Sequence, residues 1–224
     1  MTLTPIKTPL LAKKMFPNYV WDIPTNEKSI YLTFDDGPTP EITTWVLNTL
    51  RAFNAKATFF CIGDNVKKYP DVFQAILKAG HHIGNHTQNH INGWNTRSKD
   101  YLKNIEECNS EFSNFKYNIP NSKLETNNPP IVNLFRPPYG HITPKQGKKL
   151  IANGYKIIMW DVLSFDWDKN VSNETCLKNV ISKTQKGSII VFHDSIKASK
   201  NMQYVLPKVL EYFSKKEYAF KAIA

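Results

Sequence analysis

Two adjacent carboxylates, Asp35 and Asp36, directly follow an apolar segment at residues 30–34 and directly precede Gly37-Pro38. The apolar segment predicts a short buried strand, which must end at the Gly-Pro pair because proline lacks an N–H and glycine accepts a sharp turn. The acids therefore lie at the carboxyl end of a strand, where α/β folds place their chemistry. One acid could bind a metal ion while the other transfers a proton, because adjacent side chains leave a strand in opposite directions. Taken alone, Asp35 and Asp36 could instead have only a structural role, in a turn or as a helix cap.

A second group of candidate ligands is the pair His86 and His90 in the segment His-Thr-Gln-Asn-His. On one helical turn, this spacing places both imidazoles on one face, within reach of one ion. Such a pair alone is more often structural. Together with one carboxylate from a neighbouring strand end it becomes an Asp-His-His set, which leaves coordination positions open as a catalytic site requires. His81 and His82 precede a predicted strand, and we do not expect them to be ligands.

Arg136 and His193 also follow apolar segments. We expect Arg136 at the rim of the site, where paired N–H donors could hold one aspartate; an ordinary surface ion pair is the alternative. His193 ends the most apolar segment of the chain, so that partial burial would make its pKa adjustable. A core histidine with satisfied hydrogen bonds is the alternative.

The rest of the chain alternates between strand and helix patterns. Strands are predicted at residues 30–34, 57–62, 82–85, 131–135, 155–160, 188–192 and 218–223, and helices at 39–53, 70–79, 98–112, 143–153, 174–184 and 202–215. This alternation, without a break in composition, predicts one α/β domain, either a barrel or a doubly wound sheet. In a barrel, the polar residues at the strand ends would converge on one face: Asp35, Asp36, His86, Arg136, Asp161 and His193. Residues 1–28, with four prolines, are expected to form a surface arm, and residues 116–130 a loop.

Composition narrows the class of protein. The chain has 224 residues, of which 41% are hydrophobic, which suffices for one folded domain and excludes a disordered chain. No apolar run reaches the length of a transmembrane helix, and no signal-peptide core is present, so we expect a cytoplasmic protein, a mature form, or unconventional export. The net charge of +10 favours polyanionic surroundings, but the lysines are scattered, and no specific nucleic-acid site is expected. Three widely spaced cysteines predict reduced core thiols.

Five segments, taken in order, resemble the motifs of the polysaccharide deacetylases, which form carbohydrate esterase family 4 and share the NodB-homology domain. These segments are residues 33–38 (Thr-Phe-Asp-Asp-Gly-Pro), 86–90 (His-Thr-Gln-Asn-His), 136–140 (Arg-Pro-Pro-Tyr-Gly), 163–167 (Leu-Ser-Phe-Asp-Trp) and 191–193 (Val-Phe-His). The first matches fully and the fourth only in part. The resemblance implies a deformed (β/α) barrel of about seven strands, with an arm at residues 1–28 and a catalytic domain at residues 29–224.

The resemblance also implies a divalent metal ion, foremost Zn²⁺ with Co²⁺ or Ni²⁺ as alternatives. Its implied ligands are Asp36, His86 and His90. Asp35 would be the general base, held by Arg136, and His193 the general acid. These roles suit amide hydrolysis, because an amide carbonyl must be polarised, water must be activated, and the leaving amine must be protonated.

The implied reaction is hydrolysis of N-acetyl groups, or of O-acetyl groups in some relatives, on an acetylated polysaccharide or oligosaccharide of amino sugars. Three residues would contact the substrate. The backbone N–H of Tyr139 would bind the oxyanion. Trp167 would pack against the acetyl methyl group, and Val191, in place of the usual leucine, would line an apolar pocket. A non-catalytic barrel that binds carbohydrate and retains the metal is the alternative function. Nothing in the sequence indicates the oligomeric state.

The fourth motif departs from the family at its first position, which is usually aspartate and is Leu163 here. The acidic partner of His193 could therefore be either Asp161 or Asp166. We favour Asp166, because Asp166 and Trp167 together match the Asp-Trp pair that ends the family motif.

Overall fold

The computed structural model of the chain describes residues 5–115 and 133–224. The strands within these ranges are β1 (Ser29–Asp35), β2 (Ala57–Cys61), β3 (His82–Asn85), β4 (Leu134–Phe135), β5 (Lys156–Ile157), β6 (Val162–Leu163), β7 (Ile189–His193) and β8 (Ala219–Phe220). The α-helices are α1 (Leu10–Met15), α2 (Ile42–Ala52), α3 (Gly63–Lys68), α4 (Pro70–Lys78), α5 (Ser98–Ser113), α6 (Pro144–Ala152), α7 (Asn173–Lys183) and α8 (Ser199–Ser214). Short 3₁₀ turns lie at Gly93–Asn95 and Pro138–Gly140. The predicted loop at residues 116–130 lies outside the described residues.

The strands pair in parallel in the order β5-β4-β3-β2-β1-β7-β6, and β8 pairs with the beginning of β1. This sheet curls into a half-closed barrel with the helices outside, which confirms the predicted deformed (β/α) barrel of about seven strands. Strand β1 lies between β2 and β7, and all seven of its residues are buried. Such complete burial explains its nearly continuous apolar sequence, as expected for a parallel strand covered on both faces.

Alternation along β1 separates two environments. Ile30, Leu32 and Phe34 pack against the helices in the larger hydrophobic core. Tyr31 belongs to a second cluster that fills the barrel interior. Asp35, which shares the inward face with Tyr31, is thereby placed at the mouth of the barrel.

The segment before β1 does more than cover the surface. The N–H of Val20 donates to Ile157 O at 2.8 Å, and the N–H of Met159 donates to Val20 O at 2.7 Å. Further along the arm, the N–H of Leu163 donates to Ile6 O at 2.9 Å. The arm therefore occupies the seam between β5 and β6, where the edge strands would otherwise leave backbone groups unpaired. The expectation of a surface arm was incomplete in this respect.

The six predicted helices are present, and each begins and ends within three residues of its predicted position. Helices α1 and α3 were missed, because six residues are too few to display a helical period. The predicted strand at 155–160 was wrong beyond Ile157. Ile158 still forms an isolated parallel bridge with Val20 of the arm, and the carbonyls of Ile158 and Met159 accept hydrogen bonds from the side chain of Arg136.

Two expectations from composition hold within the described residues. Cys61, Cys108 and Cys176 are buried and free. Across residues 5–115 and 133–224, none of the helices combines the length and the apolar character needed to cross a membrane.

Candidate active site

The predicted site residues meet at the mouth of the barrel because their strands are neighbours in the sheet. Asp35, the last residue of β1, lies directly opposite His193, the last residue of β7, in the register of these strands. Asp36 follows with φ of 77°, in the left-handed region. His90 adopts φ of 54°. Left-handed backbone at residues that carry a β-carbon costs energy and clusters at functional sites, which supports this location.

Asp36, His86 and His90 form a compact group of possible metal ligands. One donor atom from each lies within 4.8 Å of the others, and no other such group exists in the described parts of the chain. Asp36 Oδ1 lies 3.2 Å from His90 Nε2 and 3.7 Å from His86 Nε2. The Nδ1–H of His86 donates to Arg136 O at 2.8 Å, which directs Nε2 toward the carboxylate. Two imidazole nitrogens and one carboxylate fit a divalent ion with open positions.

The expected helical turn between the two histidines is wrong. Residues 86–90 form a loop, because Asn85 Oδ1 accepts the N–H of Thr87 at 2.8 Å and Thr87 itself has φ of 66°. The imidazole rings of His86 and His90 nevertheless approach to 5.0 Å between centroids. The spacing correctly predicted their proximity, although the backbone that produces it is irregular.

The charges of this group favour an ionised aspartate and neutral imidazole. Burial alone would raise the pKa of Asp36, but the hydrogen bond from His90 and the charge of His193 outweigh it and hold that pKa well below its ordinary range. Burial lowers the pKa of His86 to about 4. A carboxylate and a neutral imidazole are the forms that bind a cation.

Asp35 is held by Arg136, which lies beneath the site and not at its rim. The guanidinium is fully buried over the ring of Phe60, at 4.1 Å from the centroid. Only Nη1 reaches Asp35, with a 2.7 Å hydrogen bond to Oδ1, so that the predicted pair of donors to one aspartate was wrong. The same Nη1 also donates to Thr33 Oγ1 at 2.7 Å. Nε and Nη2 donate to backbone carbonyls, which fixes the guanidinium and explains why it cannot form a second bond to the acid.

His193 is held by Asp166, as the partial fourth motif suggested. The N–H of His193 donates to Asp166 Oδ2 at 2.8 Å, and Nδ1 lies 2.8 Å from Asp166 Oδ1. Burial alone would lower the pKa of His193, but the Asp166 charge and hydrogen bond, with Asp36 and Asp35 nearby, raise it to about 9. Trp167 packs edge-on against His193, at 4.8 Å between ring centroids. His193 therefore carries its proton at neutral pH.

Asp161, the other candidate partner, belongs to a different cluster. Its carboxylate accepts hydrogen bonds from Lys7 at 3.1 Å, Lys13 at 2.6 Å and Ser188 at 2.6 Å. These contacts link the N-terminal arm to the barrel wall. The structure thus brings Asp166, and not Asp161, to His193.

The three predicted substrate contacts lie around this centre. Tyr139 is 60% exposed, and its hydroxyl lies 3.1 Å from His90 Nδ1. Val191 is buried in β7, opposite Leu163, and shares the inward face of its strand with His193. Leu163 is itself buried in β6, so the residue that replaces the usual aspartate contributes to the core.

Comparison with known proteins agrees with this geometry. The sequence profile of the polysaccharide deacetylases matches residues 22–158. The chain is 34% identical over 219 residues to a peptidoglycan-N-acetylglucosamine deacetylase of Bacillus cereus, covering 96% of each chain. It belongs to the polysaccharide deacetylase family.

Two further likenesses show the range of this family. A chitooligosaccharide deacetylase of Azorhizobium caulinodans is 32% identical over 175 residues, which cover 77% of this chain and 76% of that protein. A crystal structure of a peptidoglycan N-acetylglucosamine deacetylase superposes with a TM-score of 0.83 at 30% identity, covering 96% of this chain and 95% of that one. Some curated relatives are longer: the chain spans 60% of one and 34% of another. The predicted enzyme class, polysaccharide deacetylase, is confirmed.

In this deacetylase, sequence reasoning missed one buried acid behind the centre. Asp194 is fully buried, its N–H donates to Asp35 O at 3.1 Å, and Thr43 Oγ1 donates to its Oδ2. Burial raises the pKa of Asp194 to about 7. Its carboxyl group also leaves no room for a side chain at Gly37. The available signal was its position directly after His193.

Proposed function

We propose that this deacetylase hydrolyses N-acetyl groups on N-acetylglucosamine units of a cell-wall glycan of the peptidoglycan type and releases acetate. O-acetyl esters, with a better leaving group, are secondary substrates. One observation carries the proposal: a three-ligand group lies at the same end of the sheet as an aspartate held by arginine and a histidine held by aspartate. The Bacillus cereus relative, which matches along almost its whole length, supports the choice of glycan.

Asp36, His86 and His90 would hold one divalent ion. Two nitrogen donors and one carboxylate favour Zn²⁺, with Co²⁺ or Ni²⁺ as alternatives. The chemistry that such an ion supplies when bound is polarisation of the amide carbonyl and a lower pKa for the attacking water.

Asp35 acts as the general base. Arg136 holds Oδ1 in place, which leaves Oδ2 to accept a proton from the water that attacks the acetyl carbon. The buried guanidinium also places a positive charge beside the Asp35 carboxylate, which compensates its removal from water.

His193 acts as the general acid. Its Nδ1–H is directed to Asp166, which leaves the proton on Nε2 for the departing amine nitrogen. Amines leave poorly unless protonated, so the raised pKa of His193 suits this step. The base and the acid end adjacent strands, and the scissile bond would lie between them.

The remaining contacts orient the acetyl group. The Tyr139 N–H would donate to the developing oxyanion, since its left-handed backbone, with φ of 60°, turns this peptide at the mouth of the site. Trp167 would pack on the methyl group. Val191 would contribute to the apolar wall beside it.

The first test separates metal binding from proton transfer. Asp36→Ala and His90→Ala should lose bound metal and acetate release together, because each removes one of three ligands. Asp35→Asn should retain the metal and lose turnover by at least about 10²-fold. The measurements are metal content by mass spectrometry and acetate release from peptidoglycan, N-acetylchitooligosaccharides and acetylated xylan, with and without chelator.

Leu10→Ala, on the exposed helix α1, serves as the matched control and should change neither quantity. Full turnover by Asp35→Asn would overturn the assignment of the base. A metal-loaded wild-type protein that releases no acetate from any of these substrates would favour the carbohydrate-binding barrel instead.

A further inference from the structure

An exposed tryptophan on the loop after the ligand histidines is held in a fixed orientation. Trp94 is 61% exposed, yet its ring stacks on His141 at 3.7 Å between centroids, with 8° between the ring planes. Its Nε1–H donates to Ile142 O at 3.2 Å, and its backbone N–H donates to Asn92 Oδ1 at 3.0 Å. One face of the indole is therefore covered by the imidazole, and much of the side chain remains open to solvent.

The loops beneath this ring are fastened to one another. Asn92 Nδ2–H donates to His141 Nδ1 at 2.8 Å, and the N–H of Gly93 donates to His141 O at 3.2 Å. Gln146, fully buried, donates from Nε2 to Gly93 O at 2.9 Å. A side chain at Gly93 would come within 2.4 Å of His141 O, so only glycine allows this approach. The ring is thus oriented before any ligand arrives.

A row of aromatic rings connects Trp94 with the metal-ligand group. His90 and Tyr139 lie 4.6 Å apart between ring centroids, and Tyr139 and His141 lie 6.0 Å apart. Trp94 stacks on His141 at the end of this row. Both Tyr139 and Trp94 are mostly exposed, so the row runs along the surface away from the reaction centre.

We infer that Trp94 is a stacking subsite for a further pyranose ring of the glycan, beyond the sugar whose acetyl group is hydrolysed. A pyranose presents an apolar C–H face and a rim of hydroxyls. A flat indole can bury that face while the hydroxyls stay hydrated. Because the ring is already fixed, binding loses little side-chain freedom. The inference rests on the proposed function for its location and predicts a preference for longer oligomers.

Steady-state kinetics on N-acetylchitooligosaccharides of two to five sugars tests the subsite. In the wild type, KM should fall as the oligomer lengthens. Trp94→Ala should raise KM for the pentamer roughly fivefold to tenfold, with kcat nearly unchanged and the dimer unaffected. Trp94→Phe should recover most of this loss, and Leu10→Ala, an apolar truncation at an exposed position on α1, should behave as wild type.

A second measurement does not depend on turnover. Binding of the pentamer to the Asp35→Asn protein, followed by calorimetry, should weaken by a similar factor when Trp94→Ala is added. Equal pentamer affinities with and without Trp94, or equal losses on dimer and pentamer, would overturn the subsite. If the wild type released no acetate while Trp94 still contributed to pentamer binding, the proposed reaction would fail and the subsite would stand. No binding of the pentamer at all would overturn the subsite.

Discussion

Asp161 and Asp166 lie five positions apart and are both almost completely buried, yet they belong to different parts of the molecule. Asp161 binds Lys7 and Lys13 and anchors the N-terminal arm. Asp166 binds His193 and faces the reaction centre. The strand β6 between them separates the arm from the active site.

This contrast shows that the role of a buried carboxylate depends on the residue that pairs with it. Lysine stays charged at every physiological pH, so the pairs with Asp161 act as permanent attachments. Histidine changes its charge near neutrality, so the pair with Asp166 sets how strongly His193 holds a proton that can be transferred. Burial alone would raise the pKa of Asp161, but the bonds from Lys13, Ser188 and Lys7 hold it below its ordinary value.

Asp166→Asn should have the largest effect in this comparison. It removes the charge that keeps His193 protonated and weakens the bond that orients the imidazole. We expect kcat for acetate release to fall by about 10²-fold while metal content is retained. If Asp166→Asn kept the wild-type kcat, Asp166 would be dispensable for proton donation by His193.

Asp161→Asn should instead lower stability. It leaves Lys7 and Lys13 without their common counterion at a position where the carboxylate is fully buried. We expect a loss of about 2 kcal/mol in the free energy of unfolding, reduced from the value for a fully buried pair because Lys7 is partly exposed to solvent. Denaturant unfolding at pH 7 measures this loss, and activity per folded molecule should be preserved.

The sign of the pH dependence sharpens this result. Because the pKa of Asp161 is lowered in the folded protein, its contribution is present above the unfolded pKa of about 3.9 and disappears as pH falls through the folded value. The difference between wild type and Asp161→Asn should therefore narrow below pH 4. A constant difference down to strongly acidic pH would contradict the ion-pair explanation.

The pH profile of kcat/KM should show the smallest effect and the clearest contrast. Since the raised pKa of His193 is about 9, the acid form is present below that pH, and activity should decline as pH rises through it. In Asp166→Asn, the burial of His193 is no longer opposed as strongly, so this alkaline limb should move to lower pH by about one unit. Asp161→Asn is the matched control, and the alkaline limb of its kcat/KM profile should stay at the pH of the wild type.

The local sequence was sufficient to predict the ligand group and most of the elements, although not the short α1, α3 and β6. An apolar run ended by Gly37-Pro38 placed Asp35 and Asp36 at a strand end, and a spacing of four brought His86 and His90 together. The helical turn between those histidines was wrong because side-chain bonds from neighbouring residues competed with the helix. The position of Arg136 beneath the site was missed because a burial depth has no local signature.

The residues that could perform the chemistry were recognisable from the chain alone, because strand and helix periods are local properties. Which of these residues act together depends on contacts that form only in the folded molecule. Lys7 and Asp161 are 154 positions apart, and Asp166 and His193 are 27 apart. No short-range pattern records such contacts, since a buried charge is matched by whichever opposite charge the fold brings beside it.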